Sequence, residues 1–495
     1  MRLPIQMRRH AVAAALSGFA VRLSLIRFFP TTAGDSPIYL ELARNLLDAH
    51  TYGLLRDGRM VPTDARPPGY PLFIAAVDLV AGRSVSALFL AQAVLDLAAC
   101  FLIAVLAARL APQPSRKRVW IAALWLAALC PFVANYSAVP LTEVLAVFLT
   151  ALTLLLLVRA WQQDEPAGTT CDRRGWFLAG AAAGLATLVR AESPLILAAA
   201  AIAITIVCAW RRQWLRIVRT GVWLAFGLLL PLLPWATRNF VTLDRVQFLA
   251  TRYAEMYGEF VPHGFYAWTD TWLVRFRDVY IVPWKLEEEP ISVDDLPASA
   301  FDSPAERARV AQLFNEYDDS LTITPEMDRQ FAELARERTG RHPLRTWLWV
   351  PLGRIATIWL TPRVELLPVS GHILPLAKEW DYDRVDLLVS LSLALLNALF
   401  LLLAAAGAWM VFRARWWPET PSPVSALAQR WGMVAAGQPP GAMFLVAYIL
   451  LRTIFLTRIE TPEPRYVLVC FPAVIALAAQ FWQRWPAAFT PPSPR

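Results

Sequence analysis

One carboxylate stands where the chain first leaves an apolar segment. Asp35 lies in the segment 34–39 (GDSPIY), after one apolar span and before a predicted amphipathic helix that ends in the segment 66–71 (RPPGYP). A carboxylate at this depth could act as a general base on a substrate tethered to a lipid. Helix capping is an equal alternative, because Asp35 or Ser36 before Pro37 could satisfy free backbone N–H groups.

Several other charged residues lie at the ends of predicted spans on the same side as Asp35. They are Glu143, Arg190, Glu192, Arg238 and Arg452, and Arg465 with Tyr466 follows at the start of the last span. One such side chain alone is more often a membrane anchor than a ligand. Together, however, arginines can hold a phosphate in bidentate contacts while the Asp deprotonates a hydroxyl. The cluster therefore predicts transfer from a phosphate-linked lipid donor.

The composition places the chain in a bilayer. Of 495 residues, 57% are hydrophobic and 17% are charged, and the mean hydropathy is +0.43. The first apolar run, 11–29, follows basic residues 8–10 and resembles a signal peptide. Because Arg22 and Arg27 interrupt it and no small-residue cleavage site follows, we predict a retained helix.

Apolar runs of about 19 residues predict an all-α polytopic membrane protein with about ten transmembrane helices. The predicted spans lie near residues 11–29, 85–108, 119–135, 140–159, 175–190, 194–210, 218–236, 385–411, 441–457 and 466–483. Basic residues in the short loops place both termini in the cytoplasm and segments 30–84 and 237–384 outside. The segment 347–360 has charged residues and Pro borders, which favour a helix lying in the membrane interface.

We divide the chain into three parts. Residues 1–236 form an N-terminal membrane module whose first outer loop, 30–84, carries the candidate catalytic residue and amphipathic interfacial helices. Residues 237–384 form an outer loop, which we interpret as short helices on the membrane surface rather than a globular domain. Residues 385–495 contain the C-terminal transmembrane helices.

Charge and cysteine content exclude some functions. The segment 238–345 has 13 Lys and Arg against 19 Asp and Glu, so the net charge of +8 arises elsewhere in the chain. The positive-inside bias explains that excess, and no nucleic-acid partner is predicted. The five cysteines form no CxxC pair and predict neither a metal site nor a disulfide.

Short motifs along most of the chain resemble those of the GT-C type glycosyltransferases that use lipid-phosphate sugars, in particular the protein mannosyltransferases and the lipid A aminoarabinose transferases. The matching pieces are GDSPIYLELARNL (34–46), RPPGYP (66–71), PLTE (140–143), GLATLVR (184–190), PWATRN (234–239) and RY (465–466). The resemblance implies that Asp35 is the base and that the donor is a sugar on a polyprenyl phosphate. Ser36 stands where the mannosyltransferases tend to have an acidic residue, so the resemblance does not imply a protein acceptor.

The motifs and the charge cluster together predict the site residues. Asp35 is the candidate catalytic residue, and the candidate substrate-binding residues are Tyr39, Arg66, Tyr70, Glu143, Arg190, Arg238, Arg465 and Tyr466. No cofactor is indicated, and a divalent metal ion stays an open alternative.

The predicted function is an inverting hexosyl- or pentosyltransferase in the inner membrane of a bacterium, acting on its periplasmic side. The partners would be a lipid-linked sugar donor, the membrane, and a glycan, lipid or protein acceptor. A transporter or lipid flippase is the alternative. It would show repeated halves and charges near the bilayer midplane, neither of which is visible in the sequence.

Overall fold

The computed structural model describes residues 4–164, 172–249, 260–416, 439–459 and 461–484. In the N-terminal part the helices are α1 (Ile5–Phe28), α2 (Ser36–Asp48), α3 (Gly69–Ala81), α4 (Val85–Leu110), α5 (Arg116–Ala128), α6 (Pro131–Ala134), α7 (Glu143–Asp164), α8 (Arg173–Thr187), α9 (Leu195–Trp210) and α10 (Trp214–Leu243). After these come α11 (His263–Thr269), α12 (Phe276–Ile281), α13 (Pro304–Ser320), α14 (Pro325–Arg341), α15 (Val350–Leu360), α16 (Leu376–Tyr382), α17 (Arg384–Trp416), α18 (Pro439–Leu456) and α19 (Phe471–Ala478).

Short elements complete the described chain. Strands β1 (Gly53–Arg56) and β2 (Arg59–Pro62) form one antiparallel hairpin. A π-helical turn covers Arg345–Trp349. The 3-10 turns lie at 113–115, 135–138, 293–295, 298–300, 464–470 and 479–484.

Each predicted span coincides with helical structure. In the described ranges six helices are long and apolar enough to cross a membrane, or seven when the bent pair 113–128 and 131–138 counts as one span. The helices at the other predicted spans are shorter, since α9 has 16 residues and α8 has 15. The prediction of an all-α polytopic membrane protein is confirmed, and the count of about ten spans stays a prediction.

A buried ion pair joins the first spans. Arg22 of α1 donates from Nε and Nη2 to Asp96 Oδ2 of α4, at 2.8 and 2.6 Å. Its Nη1 donates to the carbonyls of Gly18 and Ala128, at 2.8 and 2.9 Å. A charge within a span is costly unless it is paired. The arginine that interrupts the first apolar run is therefore satisfied by its neighbours inside the bundle.

The first outer loop differs from the prediction of one amphipathic helix ending at 66–71. Helix α2 ends at Asp48, a hairpin follows, and α3 begins at Gly69. Asp57 and Gly58 at the hairpin tip have φ of 49° and 75°. An Asp-Gly pair with positive φ is typical of a two-residue hairpin turn, and this local signal was overlooked in the sequence.

Gly69 fixes the start of α3 against the turn that follows α8. Its backbone N–H donates to the Leu188 carbonyl at 2.6 Å. A Cβ at this position would lie 2.6 Å from the same oxygen, so only glycine permits this approach. The contact brings the first outer loop beside the segment that carries Arg190.

Helix α10 continues past its predicted exit at Pro234. It runs to Leu243 with Pro231 and Pro234 inside it. Helix α10 packs closely on α8, where a Cβ at Gly227 would lie 2.2 Å from the Phe177 carbonyl. Small residues allow such close backbone contact between membrane helices. The additional turns carry Arg238 away from the membrane and onto the hairpin.

The outer segment contains a core of its own, contrary to the prediction of surface helices without a globular domain. Its buried apolar residues, Phe265, Trp268, Phe314 and Phe331 among them, pack between α11, α13 and α14. Ser303 and Thr324 cap the last two helices by accepting from the backbone N–H three residues on. We call residues 260–341 the outer unit. Residues 250–259 of the predicted outer loop lie outside the described residues.

Buried Arg338 holds the outer unit together. Its Nε donates to Thr271 Oγ1 at 2.8 Å, and its Nη1 donates to the Ala300 carbonyl at 2.9 Å. Glu306 and Asp302 supply the carboxylates. Because Thr271 follows α11 and the other partners lie in the segment 300–306, the guanidinium of α14 joins these two parts of the unit.

Helix α15 has 11 residues. It continues directly from the π-helical turn Arg345–Trp349. It is not among the candidate spans, and its interfacial position stays a prediction. Cys100, Cys130, Cys208 and Cys470 are buried and free, whereas Cys171 lies outside the described residues.

Candidate active site

A cavity of about 770 Å³ lies where several spans end on the same side. Its charged and aromatic lining comprises Asp35, Tyr39, Arg66, Glu143, Arg190, Glu192, Arg465, Tyr466, Tyr266 and Trp284. These residues come from the start of α7, the turn between α8 and α9, the start of the last span, the first outer loop and the outer unit. Seven of the nine predicted site residues therefore line one cavity.

Asp35 occupies the helix-capping position of α2, but its side chain does not cap. The α2 N-terminus has no side-chain cap hydrogen bond, and Asp35 Oδ1 instead accepts from Arg66 Nη2 at 3.0 Å. The Asp35 side chain remains 32% exposed. Of the two predictions for Asp35, capping therefore does not match the observed contacts.

Arginines keep Asp35 ionised. Burial alone would raise the pKa of this carboxyl, but Arg66, Arg465 and Arg190 together lower it below its ordinary value. Tyr39 beside it is buried, and burial together with the Asp35 charge raises its pKa. At neutral pH the cavity thus presents a carboxylate next to a protonated phenol.

Glu143 and Arg190 form the base of the cavity. Arg190 Nη1 donates to Glu143 Oε1 at 3.2 Å, and Arg190 Nε donates to Glu192 Oε1 at 2.8 Å. Glu143 is only 1% exposed, and its Oε2 has no hydrogen-bond partner among the described residues. A buried acceptor without a partner is costly. Glu143 therefore offers one unfilled acceptor position at the cavity base.

The start of the last span supplies another arginine, Arg465, to the cavity. Arg465 donates to Glu463, and its Nη1 lies 3.9 Å from Glu143 Oε1. Tyr466 Oη donates to Glu463 Oε1 at 2.6 Å, and the Tyr466 ring lies under the Arg190 guanidinium. These contacts connect the last span to the turn between α8 and α9.

Arg452 of α18 strengthens the same network. Its Nη2 donates to Glu192 Oε1 at 3.0 Å and its Nε to the Tyr466 carbonyl at 3.1 Å. Burial would raise the pKa of Glu192, but Arg190 and Arg452 lower it, so Glu192 stays ionised.

One wall of the cavity is apolar. Leu195 and Ala198 of α9 line the cavity together with Phe455 of α18 and Ile459. Tyr266 and Trp284 of the outer unit contribute to the lining as well. The cavity thus combines a charged region and an apolar wall in one space, as an amphipathic ligand requires.

Tyr70 lies behind the cavity rather than in it. It is fully buried, its Oη donates to Gln92 Oε1 at 2.7 Å, and its ring packs edge-on against Tyr39 at 5.2 Å. Tyr70 therefore supports Tyr39 and does not line the space that a substrate could enter.

Arg238 also does not line the cavity. Its Nη1 donates to the Thr63 carbonyl at 2.8 Å and its Nη2 to the Tyr52 carbonyl at 2.5 Å. The guanidinium also lies over the rings of Tyr52 and Trp235. Arg238 fixes the hairpin against α10, because both of its backbone acceptors flank β1 and β2.

The charged and aromatic contributors that were not predicted as site residues include Glu463, Glu192, Arg452, Tyr266 and Trp284. Glu463 lies two residues before Arg465 and three before Tyr466 in the run EPRY. This short spacing is a local sign that its carboxylate can contact both side chains. Glu192 was noticed as a charge at a span end but was not placed in the site. Trp284 gave no signal, because its position depends on how the outer unit packs.

Residues 65–236 match the family model described as dolichyl-phosphate-mannose-protein mannosyltransferase. This match confirms the resemblance to GT-C type proteins. The match covers α3 to most of α10 and includes Arg66, Glu143 and Arg190, whereas Asp35, Arg238 and Arg465 lie outside it. No curated protein matches the chain.

Solved structures of GT-C proteins align with nearly all of this chain. An archaeal oligosaccharyltransferase, AglB from Archaeoglobus fulgidus in complex with an inhibitory peptide and a dolichol-phosphate, is 14% identical with a TM-score of 0.49, over 97% of this chain and 50% of that one. ArnT from Cupriavidus metallidurans, bound to undecaprenyl phosphate, is 15% identical with a TM-score of 0.35, over 95% of this chain and 76% of that one. The chain spans about half the length of the archaeal structure.

Proposed function

We propose that this protein is an inverting glycosyltransferase that moves a sugar from a polyprenyl-phosphate or diphosphate donor to an acceptor at the outer face of the membrane. The observation that carries the proposal is the composition of one cavity. A partly exposed carboxylate, three guanidinium groups and an apolar wall meet at the ends of spans that terminate on the same side. A lipid-linked sugar has a matching part for each of these: an anomeric carbon that a deprotonated hydroxyl can attack, a phosphate and an apolar chain.

The reaction would be a direct displacement at the anomeric carbon. Asp35 takes the proton from the acceptor hydroxyl, whose oxygen forms a bond to the anomeric carbon. The bond between that carbon and the phosphate oxygen breaks, and its electron pair leaves with the lipid phosphate. Arg190 and Arg465 stabilise the negative charge that develops there. The proposal assigns no step to a metal ion.

Access favours Asp35 over Glu143 as the base. The Asp35 side chain is 32% exposed whereas that of Glu143 is 1% exposed. A base must come within hydrogen-bond reach of the hydroxyl that it deprotonates. Glu143 is better placed to orient Arg190, whose Nη1 donates to its Oε1.

The positions of two outer-unit side chains support a role for the outer unit in acceptor selection. Tyr266 and Trp284 bring aromatic side chains to the cavity wall from outside the membrane module. An acceptor that approaches from outside would contact them first, since the donor chain needs the apolar wall of α9 and α18. The acceptor class remains a glycan, a lipid or a protein in this proposal, and the transferred sugar a hexose or a pentose.

Asp35→Asn tests the proposal directly. Asn has nearly the same shape but no basic oxygen, so we expect transfer to fall about 10²- to 10⁴-fold. The measurement uses the full chain in proteoliposomes that contain lipid extract with labelled lipid-linked sugars, followed by separation of the products. Binding of a short-chain polyprenyl phosphate should not weaken.

Asp57→Asn is the matched control, because Asp57 is exposed at the hairpin tip of the same outer loop. This control should keep its full transfer rate. An Asp35→Asn protein that transfers sugar at the normal rate would rule out Asp35 as the base. Sealed vesicles that move the labelled lipid across the bilayer without forming a new product would instead establish a flippase.

A further inference from the structure

A second cavity lies between the outer unit and helix α15. Its volume is about 460 Å³, and it is lined by residues of α11, α14 and α15, by Trp347 and by the chain just after α18. It shares no lining residue with the first cavity. The two are therefore separate spaces on the same side of the protein.

The lining of this second cavity is positively charged. It contains Arg336, Arg354 and Arg458 against the single carboxylate of Asp270, a formal balance of +2. Asp270 pairs with Arg354 Nη1 at 2.9 Å. The lining therefore favours an anion, although one carboxylate is already present.

Arg354 leaves a donor unused. It is 2% exposed, its Nε donates to the Leu273 carbonyl at 2.8 Å, and its Nη1 donates to the Thr457 carbonyl at 3.0 Å. Its Nη2 is buried and has no hydrogen-bond partner in the described part of the chain. Buried donors without partners are rare in proteins and often indicate a missing ligand or water.

The residues around the second cavity are of the types found at the depth of lipid head groups. Arg458 lies over the Trp347 ring at 4.8 Å. Next to it, Leu344, Trp347, Leu348 and Trp349 expose between 44% and 66% of their surface. Exposed Trp beside Arg is typical of the membrane interface, where the aromatic ring and the cation lie at the level of phosphates.

We propose that this second cavity binds the phosphate head group of an anionic phospholipid. Arg336, Arg354 and Arg458 would hold the phosphate, and the acyl chains would extend along the exposed apolar residues of segment 344–349. Since the cavity joins α14 of the outer unit to α15 and to the chain after α18, the lipid would link the outer unit to these two elements. The proposal does not depend on the glycosyltransferase activity.

The test counts phosphatidylglycerol bound to the purified full chain by native mass spectrometry. The double variant Arg336→Gln with Arg458→Gln removes two exposed guanidiniums without touching the buried Arg354. We expect at least about tenfold weaker binding of phosphatidylglycerol, as losing one charge-assisted hydrogen bond would already cause. Polyprenyl phosphate binding should stay unchanged, which also shows that the variant is folded.

Arg329→Gln is the matched control, because Arg329 is exposed on the same helix α14 and does not line the cavity. Normal phosphatidylglycerol binding by the double variant would overturn the proposal. Equal binding of phosphatidylcholine would do the same, because it would show that the anionic charge is not recognised. If inorganic phosphate displaced phosphatidylglycerol at low millimolar concentration, the ligand would be a free anion rather than a lipid. A double variant that melts early is replaced by Arg336→Gln alone, judged by the same outcomes.

Discussion

The charged residues of the first cavity balance one another. Arg66, Arg190 and Arg465 face Asp35, Glu143 and Glu192, so the formal charges of the lining sum to zero. In the proposed reaction, a donor phosphate would compete with these resident carboxylates for the guanidinium groups. The carboxylates would then limit donor affinity as well as hold the arginines in place.

Glu143→Gln separates these roles. The change removes a charge that lies 3.2 Å from Arg190 and 3.9 Å from Arg465, so we expect a polyprenyl phosphate to bind about tenfold more tightly, because the arginines lose a competing anion. Transfer should remain within about tenfold of normal, since Glu143 is not the proposed base. The measurements are lipid binding and the transfer rate of the full chain.

Glu316→Gln serves as the control, because Glu316 is exposed on α13 of the outer unit. If Glu143→Gln lost transfer as completely as Asp35→Asn, Glu143 would share the catalytic role. Unchanged lipid affinity would show that Glu143 does not compete with the phosphate.

At the scale of elements, the hairpin explains why Arg238 and Arg190 have different roles although both follow apolar spans. Arg190 lies in a tight turn between α8 and α9 and points its donors at carboxylates of the cavity. Arg238 lies on a helix that continues outward, and its donors meet the carbonyls on either side of the hairpin. The surrounding element, rather than the residue type, decides the role.

Lysine substitutions should distinguish the role of Arg190 from that of Arg238. Lysine keeps the charge but cannot form a bidentate fork, so Arg190→Lys and Arg465→Lys should weaken polyprenyl phosphate binding and transfer by about tenfold or more. Arg238→Lys should affect mainly stability, seen as an earlier melting transition, because it holds backbone carbonyls of the first outer loop.

The readout is lipid affinity beside melting temperature for each purified variant. A selective loss of lipid affinity in Arg238→Lys, with normal melting, would place Arg238 in the donor site. Normal lipid affinity and a normal transfer rate in both Arg190→Lys and Arg465→Lys would show that these arginines are membrane anchors and do not bind the donor.

At the scale of the whole molecule, the helix order brings all cavity residues to one face. Helix α7 starts at Glu143, α8 ends just before Arg190, and the last span starts at Arg465. The basic loop residues, such as Arg116 and Arg173, lie at the opposite helix ends. By the positive-inside bias those opposite ends are cytoplasmic, so the cavity and the outer unit would be extracytoplasmic.

Thiol labelling tests this sidedness. In a chain with Cys171→Ser, a cysteine at Ser320 on the outer unit should react with an impermeant reagent added to intact cells. Gln113→Cys, in the short turn between α4 and α5, should react only after permeabilisation, because that turn is predicted to be cytoplasmic. Both positions are exposed, so accessibility within the protein is matched. The reverse pattern would overturn the topology and move both cavities to the cytoplasmic side.

The sequence by itself determined the class of protein, the positions of the helices and most of the cavity residues. Hydropathy and loop charge are local properties, and they place Asp35, Glu143, Arg190 and Arg465 at span ends without any knowledge of packing. A shared depth along the membrane normal is enough to predict that such residues lie near one another.

Only the tertiary structure decided which of these residues face the cavity and which partner each one has. Arg66 pairs with Asp35 across 31 residues and Arg238 contacts Thr63 across 175, because the hairpin folds the first outer loop back on α10. Trp284 reaches the cavity from the outer unit, and Tyr70 of α3 is hidden behind Tyr39. The direction in which a side chain points around its helix axis depends on packing, and so does contact between distant segments. No local pattern in the sequence encodes that packing.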